Sequence, residues 1–355
     1  MKLTSTTATA MVLVLAASQM AQAGDTLRLL TWGGYAPEEV IALFEAESGH
    51  SVEVTLSNNE EMIAKLRATA GGGFDLAQPS QDRIAGPQAE FGIYKPMDLT
   101  QIDASQFITS MLEATKTNTT VDGEIYGVPH VWGTSGLVLD TTAAASVKDY
   151  TDLCSDEVAG KVSYRLKRPT LIGFAFAMGL DPFAAYGDEA AYTEIMGQVE
   201  AKLIDCKPNV KTYWGGGDEL MNLIRSGEVV ASMAWDTGGW KLNGEMPNVT
   251  FVAPASGALG WIDTFVLPAK GRADEAAYDW INFVMRPEIS AMITSSAGNF
   301  TASKGADAFA DAALKAQYQA SFSAADVDNI KWYPPVPAGL ETIEGGVLDR
   351  VKAAN

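Results

Sequence analysis

The order of strand and helix signals along the chain constrains its fold most strongly. Near the start, alternating and helically spaced apolar residues predict strand 26–31, helix 36–47, strand 52–56, helix 59–70 and strand 74–77. Glycine and proline residues punctuate this stretch of chain. Such an alternation is typical of a mainly parallel sheet with helices on its faces.

The same alternation returns later in the chain. The segments are strand 161–164, helices 171–178, 189–203 and 218–226, strand 229–234, strand 261–267 and helices 275–285 and 288–294. A chain of 355 residues exceeds what one ordinary core accommodates. We therefore predict an α/β protein with two lobes.

The first 23 residues have the pattern of a secretory signal peptide. Lys2 gives a positive start, an apolar stretch covers 8–20, and Ala21-Gln22-Ala23 forms a small-x-small cleavage site. The apolar stretch is too short to span a bilayer, and no later stretch approaches ~18 uncharged apolar residues. We expect an exported chain that begins near Gly24, with a signal anchor as the alternative.

Composition limits the partners and the chemistry. The net charge of −19 disfavours nucleic acid and anionic membranes and attracts cations. The two histidines, His50 and His130, lie far apart and without ligand spacing, so we expect no metal site and no cofactor. In an exported protein Cys154 and Cys206 favour a disulfide, with two buried thiols as the alternative.

Several tryptophans stand where predicted strands begin or end, or beside glycine-rich loops. They are Trp32, Trp132, Trp214, Trp235 and Trp261. Ligands of such sheets bind beyond the carboxyl ends of the strands, and rings that enclose a pocket hold an ammonium group through cation–π contacts. The set therefore predicts an amine site, whereas any one of these rings alone would more often be a core or hinge residue.

A carboxylate, Asp263, accompanies the last of these rings. Asp263 stands two residues after Trp261 and on the same side of a predicted strand. An amine needs such a charged hydrogen-bond acceptor. A helix cap or a structural ion pair is the alternative role.

Five segments carry a family signal in chain order. They are Leu30-Thr31-Trp32-Gly33-Gly34-Tyr35, Phe74-Asp75-Leu76 before Ser80, Tyr126-Gly127-Val128-Pro129 with Trp132-Gly133-Thr134, Gly227-Glu228-Val229-Val230 leading to Trp235, and Gly260-Trp261-Ile262-Asp263. These segments resemble the spermidine/putrescine-binding proteins of ABC importers. The Trp-Gly-x-Tyr and Trp-x-Asp pieces are the most specific, and the match spans the chain after the leader.

The resemblance implies two lobes of the periplasmic-binding-protein fold, joined by crossover strands, with the ligand shut between them. The expected division is 24–135 with 264–303 in one lobe and 136–263 with 304–355 in the other. The implied location is the periplasm, and the implied partner is an ABC permease of the inner membrane. A monomer is expected.

The resemblance also implies roles for single residues. The aromatics at Trp32, Tyr35, Trp235 and Trp261 would line the cleft. Asp263 would take an ammonium group, and the serine at Ser80 would contribute a hydrogen bond.

The chain departs from that family at three places. Gln81 and Asp82 replace tyrosines, Arg165-Leu166-Lys167-Arg168-Pro169 replaces acids that would receive a further amine, and Gly298-Asn299-Phe300-Thr301 replaces a Gly-Tyr-Pro-like segment. An Arg168 that faces the cleft would welcome a ligand carboxylate, whereas at a strand edge it would have no part in binding. Asp82 or Asp236 is the candidate second acid for a polyamine.

The sequence thus predicts a non-enzymatic subunit of an ABC importer that captures a polyamine such as putrescine or spermidine by lobe closure. An ω-amino acid is the alternative ligand. Nucleophile-elbow, phosphate-loop, zinc-protease and dinucleotide motifs are missing from the sequence, so a secreted glycosidase-type enzyme is a weaker alternative. Binding of a sugar or of iron on the same fold is also a weaker alternative.

Overall fold

The computed structural model describes residues 24–354, and the predicted leader lies outside this range. The strands are β1 (Thr26–Thr31), β2 (Ser51–Leu56), β3 (Leu76–Ala77), β4 (Tyr94–Lys95), β5 (Thr120–Val121), β6 (Glu124–Ile125), β7 (Gly127–Asp140), β8 (Val162–Tyr164), β9 (Val210–Tyr213), β10 (Ala231–Trp235), β11 (Val249–Val252), β12 (Leu259–Pro268), β13 (Phe300–Thr301) and β14 (Lys331–Trp332).

Helices cover both faces of these strands. They are α1 (Glu38–Ser48), α2 (Asn59–Ala68), α3 (Ala85–Phe91), α4 (Thr109–Asn118), α5 (Arg168–Ala177), α6 (Glu189–Asp205), α7 (Gly217–Arg225), α8 (Asp236–Glu245), α9 (Asp274–Val284), α10 (Pro287–Ala297), α11 (Ala312–Ser321), α12 (Ala324–Asp328) and α13 (Leu340–Ala353). Within residues 24–354, no helix has both the length and the apolar run that crossing a bilayer requires.

The first lobe is built on β1, which pairs in parallel with β2 on one side and with β3 on the other. Helix α1 follows Pro37 and ends at Gly49, whose φ of 77° suits glycine. The apolar face of α1 buries Val40 and Phe44, and the Phe44 ring meets Trp280 of α9 edge-on at 5.1 Å.

Two long antiparallel strands, β7 and β12, join the lobes. The main sheet runs in the order β2-β1-β3-β12-β7-β10-β8-β9, so these strands lie at its centre. Trp261 on β12 lies opposite Gly133 on β7, and Gly260 lies opposite Thr134. Further along, β7 pairs with β10, so one continuous strand belongs to both lobes.

The second lobe places β8 between β10 and β9, and both pairings are parallel. Helix α6 starts at Asp188, whose side chain accepts hydrogen bonds from the backbone N–H groups of Ala190 and Ala191. Tyr192 on α6 shares a buried core with Val347 and Val351 of α13, so the end of the chain packs on this lobe.

The late segments divide between the two cores. Trp280 of α9 and Ile293 of α10 lie in the core of the first lobe, whereas Val347 of α13 lies in that of the second. We propose, as the sequence predicts, that 264–303 belong to the first lobe and 304–355 to the second.

A disulfide joins Cys154 to Cys206, as the sequence predicts. It links a 3₁₀ turn, Tyr150–Cys154, to the residue that follows α6. The two cysteines are 52 positions apart, and the chain between them includes β8 and α5, so the bond closes a loop around much of the second lobe.

The sequence pattern misses several helices, of which α8 bears most on the cleft. This helix begins directly after Trp235 and contains Gly238 and Gly239, which weaken the helical signal. Gly239 is needed for packing, because a Cβ atom there would come within 2.7 Å of the Phe251 side chain. The last helix, α13, has 14 residues.

Candidate ligand-binding cleft

A cavity of about 440 Å³ opens between the two lobes. Its lining includes residues at or just beyond the carboxyl ends of five strands, namely Trp32 after β1, Ser80 after β3, Arg165 after β8, Gly215 after β9 and Trp235 on β10. The crossing strand β12 adds side chains from its middle. The size is that of a small-molecule site, and the position is where α/β sheets bind ligands.

Asp263 lines the cleft and is almost fully buried, with 3% of its surface exposed. Its Oδ2 accepts a hydrogen bond from the Tyr35 hydroxyl at 2.6 Å, and its Oδ1 accepts one from the Ser80 hydroxyl at 2.5 Å. Burial raises the pKa of Asp263 to about 7, and the two hydroxyl groups offset only part of that rise. No cation in the described part of the chain forms an ion pair with this carboxylate.

The local backbone aims Asp263 into the cleft. The pairing of β12 with β7 shifts register between Asp263 and Thr264, an irregularity of the kind that redirects a side chain. Thr264 then donates both its N–H and its hydroxyl to the carbonyl of Pro79, which fixes Ser80 beside the carboxylate.

Asn59, at the start of α2, holds Ser80 in place. The Asn59 amide donates to Ser80 Oγ at 2.9 Å, and its oxygen accepts from the Ser80 N–H at 2.9 Å. The Ser80 hydroxyl therefore donates its own hydrogen to Asp263. Sequence reasoning misses this residue, because an asparagine near a helix start is more often a cap.

The ring of Tyr35 packs against a buried histidine. The rings of Tyr35 and His130 meet edge-on at 5.4 Å. Burial lowers the pKa of His130 to about 3, so this imidazole is neutral, and its Nδ1 contacts the Gln78 amide at 2.6 Å. The carbonyl of Gln78 in turn accepts from the indole N–H of Trp32 at 2.8 Å. Two cleft rings thus rest on one buried polar cluster.

Three of the predicted tryptophans line the cleft with half-buried rings: Trp32, Trp235 and Trp261. The ring of Trp261 lies so close to β7 that a Cβ at Gly133 would come within 2.6 Å of it. Glycine at this position is therefore what admits the ring. Trp214 is almost fully buried behind Trp235, with the two rings edge-on at 5.1 Å, and so supports the wall from behind.

Arg168 borders the cleft, but its charge is used internally. Its guanidinium pairs with Asp82 at 3.1 Å and with Glu344 of α13 at 3.2 Å, all three side chains being buried. The rings of Tyr186 and Tyr333 cover it. Burial alone would lower the pKa of this guanidinium, but the two carboxylates outweigh burial and raise it. Neither Arg168 nor Asp82 has a free charge to offer a ligand.

Asp236 is also committed to internal contacts. It accepts from the N–H and hydroxyl of Thr134, from the N–H of Thr237 and from the Asn299 amide, all at 3.0 Å or less. Burial raises its pKa to about 6, and these donors partly offset the rise. Thr134 and Asn299 come from β7 and from the loop after α10, so Asp236 ties the lobes together rather than facing the cavity.

Gln81 and Trp132 lie outside the cavity lining. Gln81 is buried and accepts a hydrogen bond from the Thr115 hydroxyl at 3.0 Å, on the far side of its turn. Trp132 stacks on Phe300 at 5.8 Å and belongs to an aromatic group with Tyr318 and Trp332. Adjacent residues of β7 point to opposite faces, which separates Trp132 from Gly133 beneath Trp261.

Arg165 also lines the cavity, as do Arg83, Arg168 and Lys241. Its guanidinium carbon lies 5.1 Å from the centre of the Trp235 ring and 5.5 Å from that of Trp214. Its Nε is buried without a hydrogen-bond partner in the described structure. The run 165–168 contains three cations, of which Arg165 and Arg168 line the cleft, and α5 begins at Arg168.

Two α/β lobes, a pair of crossing strands and a cleft with rings around a carboxylate define the class of clamp-like solute-binding proteins. The chain belongs to the family of bacterial extracellular solute-binding proteins, whose profile matches residues 39–321. This is a family of binding proteins rather than enzymes.

Two curated relatives are informative. The chain is 28% identical over 288 residues to the spermidine/putrescine-binding periplasmic protein 1 of Haemophilus influenzae, covering 79% of this chain and 76% of that one. It is 22% identical over 351 residues to the putrescine-binding periplasmic protein PotF of Escherichia coli, covering 92% of this chain and 89% of that one.

Among solved structures, a candidate spermidine/putrescine ABC transporter protein from Listeria monocytogenes superposes with a TM-score of 0.80. The two chains are 20% identical, and the match covers 93% of this chain and 99% of that one. This likeness establishes the fold, and it confirms the predicted two-lobed α/β architecture.

Proposed function

We propose that this protein is the periplasmic solute-binding subunit of an ABC importer and that it captures a small primary amine. The observation that carries the proposal is Asp263, a buried carboxylate whose partners in the described structure are two neutral hydroxyl groups. A carboxylate that lacks a cation in a buried site is unstable by itself, and a bound ammonium group would supply that cation.

The rings around Asp263 suit the same ligand. Trp32, Trp235 and Trp261 line the cavity, and each cation–π contact with a bound ammonium would contribute about 0.5–2 kcal/mol. The alkyl chain of an amine would lie against the same rings. The names of the curated relatives favour polyamines such as putrescine and spermidine as the first ligands to test.

Capture by closure follows from the topology. The ligand would touch residues of both lobes, and β7 and β12 are central strands that connect them. A ligand that contacts both lobes favours the closed state by as much as those contacts differ between open and closed states. The closed form is then what a membrane permease would recognise. No chemical step is part of this proposal.

The test is a thermal-shift and calorimetry screen of ligand-free protein that has been unfolded, dialysed and refolded. The panel contains monoamines, diamines, polyamines, ω-amino acids and sugars. Amines should raise the melting temperature in proportion to the logarithm of their concentration, and they should be recovered unchanged. Asp263→Asn should remove the shift, whereas Glu194→Gln, a change of an exposed acid on α6, should not. A shift by sugars alone, or an amine shift that survives Asp263→Asn, would contradict the proposal.

A further inference from the structure

We propose that Arg165 forms a second, acid-binding pole of the cleft, so that the preferred ligand carries a carboxylate as well as an amine. This inference rests on the proposed function, because it assumes that Asp263 receives the ammonium group. It concerns the class of ligand, and it distinguishes an amine with an acid at its other end from a diamine or polyamine.

The backbone fixes Arg165 at the cavity. Its carbonyl accepts hydrogen bonds from the Thr170 hydroxyl at 2.6 Å and from the Lys167 N–H at 2.9 Å, which close the turn between β8 and α5. The side chain lies over the rings of Trp214 and Trp235. Both rings would hold the guanidinium plane beside any ligand that contacts Trp235.

Arg165 differs from the two other arginines near this turn, because it has no close acid among the described residues. Arg168 has Asp82 and Glu344, and Arg83 pairs with Glu341 at 3.1 Å. Arg165 forms no ion pair with any residue in the range 24–354, and its Nε is buried without a partner.

Glu60, across the cleft at the start of α2, compensates Arg165 only in part. Burial would raise the pKa of Glu60, but Arg83, Lys167 and Arg165 together lower it below its usual range. Three cations thus surround one carboxylate at this part of the cleft. Burial also lowers the pKa of Arg165, and the attraction of Glu60 does not fully restore it.

The two poles of the cleft, at Asp263 and Arg165, therefore lack partners of opposite sign. Asp263 lacks a cation, and Arg165 lacks an anion in direct contact. A ligand with an ammonium and a carboxylate would satisfy both, and a bidentate contact between carboxylate and guanidinium is the strongest that either group makes. A diamine would instead bring its second ammonium towards the like charge of Arg165, which weakens binding.

The experiment compares four-carbon probes that differ in their end groups: butylamine, putrescine, γ-aminobutyrate and butyrate. Calorimetry at pH 8 measures each probe on the wild type, on Arg165→Met and on Arg165→Glu. The matched control is Arg67→Met, because Arg67 also stacks on a ring, that of Phe91 at 4.2 Å, but lies outside the cleft lining. ω-Amino acids of three to six carbons then measure the spacing of the poles.

We expect γ-aminobutyrate to bind the wild type at least about tenfold more tightly than butylamine or putrescine. Arg165→Met should weaken γ-aminobutyrate by about 30-fold or more and leave butylamine within about threefold. Arg165→Glu should reverse the order in favour of putrescine. Arg67→Met should match the wild type for every probe.

Two results would overturn the inference while leaving the proposed function intact. One is wild-type protein that prefers putrescine to γ-aminobutyrate. The other is an Arg165→Met variant that binds all amines equally weakly or equally well, because Arg165 would then only pack against the rings or pair with Glu60. Two other results would contradict the proposed function itself. In the first, no amine binds the wild type, and in the second, Asp263→Asn binds amines as well as the wild type does.

Discussion

Replacing Asp263 with asparagine separates the role of this carboxylate in binding from its effect on stability. In the folded, ligand-free protein, burial raises the pKa of Asp263 from 3.8 to about 7. Between those pH values the folded chain holds a proton that the unfolded chain has released. The free energy of unfolding therefore falls as the pH rises through this window. About 3 pKa units correspond to about 4 kcal/mol above pH 7.

Asparagine has no charge to bury at any pH. It cannot accept from both Tyr35 and Ser80, so one hydroxyl must turn and accept from the amide, at a cost of about 1 kcal/mol. We expect the free energy of unfolding of Asp263→Asn to exceed that of the wild type by about 3 kcal/mol at pH 8. At pH 5 the two proteins should agree within about 1 kcal/mol.

Urea unfolding of ligand-free protein, followed by tryptophan fluorescence at both pH values, measures this difference. Glu194→Gln is the control for loss of an acid at an exposed site, and it should follow the wild type at both pH values. A variant that is less stable than the wild type by the same amount at pH 5 and pH 8 would refute the reasoning, because the carboxylate would then be ionised and stabilising throughout.

The same titration controls binding, with the opposite sign. Under the proposed function an amine would bind the ionised form of Asp263, so below pH 7 its binding would release a proton from the carboxyl group. The affinity of the wild type for butylamine should therefore fall by up to about tenfold per pH unit as the pH drops below 7, and it should be flat above. Asp263→Asn should bind about 2–4 kcal/mol more weakly and show no such slope.

Three further predictions concern the residues around the cleft. Arg168→Met should lower the free energy of unfolding by about 3–5 kcal/mol, because it leaves two buried carboxylates without a cation, and a loss under about 1 kcal/mol in urea would contradict the network. Loss of the disulfide, by a reductant or by Cys154→Ala with Cys206→Ala, should cost about 4 kcal/mol in the chain-entropy model, and equal urea midpoints with and without reductant would refute it. Gly133→Ala should displace the Trp261 ring and lower amine affinity by about tenfold in calorimetry, whereas unchanged affinity would mean that the ring does not need this close approach.

Much of the fold could be predicted from the spacing of apolar residues and from the glycine and proline residues between segments. β1, β2 and α1 have strong local signals, and the structure places them within one or two residues of the predicted segments. The long strand β7 escapes prediction, because Gly127, Pro129 and Gly133 interrupt its apolar pattern. Those residues are tolerated since β7 is buried between β12 and β10, and tertiary contacts there override local preference.

Some residues of the site could likewise be predicted from local rules, and others could not. A strand places residues two apart on one side, which puts Trp261 and Asp263 together, and both line the cavity. Local rules do not decide between Arg165 and Arg168. Arg168 is neutralised by Glu344, which lies 176 positions later in the chain, and no sequence periodicity connects the two. The internal roles of Arg168 and Asp236 depend on how separate segments meet.

The distribution of satisfied and unsatisfied charges sets the energetics of closure. At the junction of the lobes, Arg168 and Asp236 have their partners without any ligand, so these contacts join the lobes independently of a ligand. Asp263 and Arg165 face the cavity with their charges incompletely paired. Only a ligand changes the balance at these two positions, because closure alone would bury both charges further. Closing is therefore unfavourable for the empty cleft and favourable once a complementary ligand compensates the charges, which couples lobe closure to recognition of the ligand.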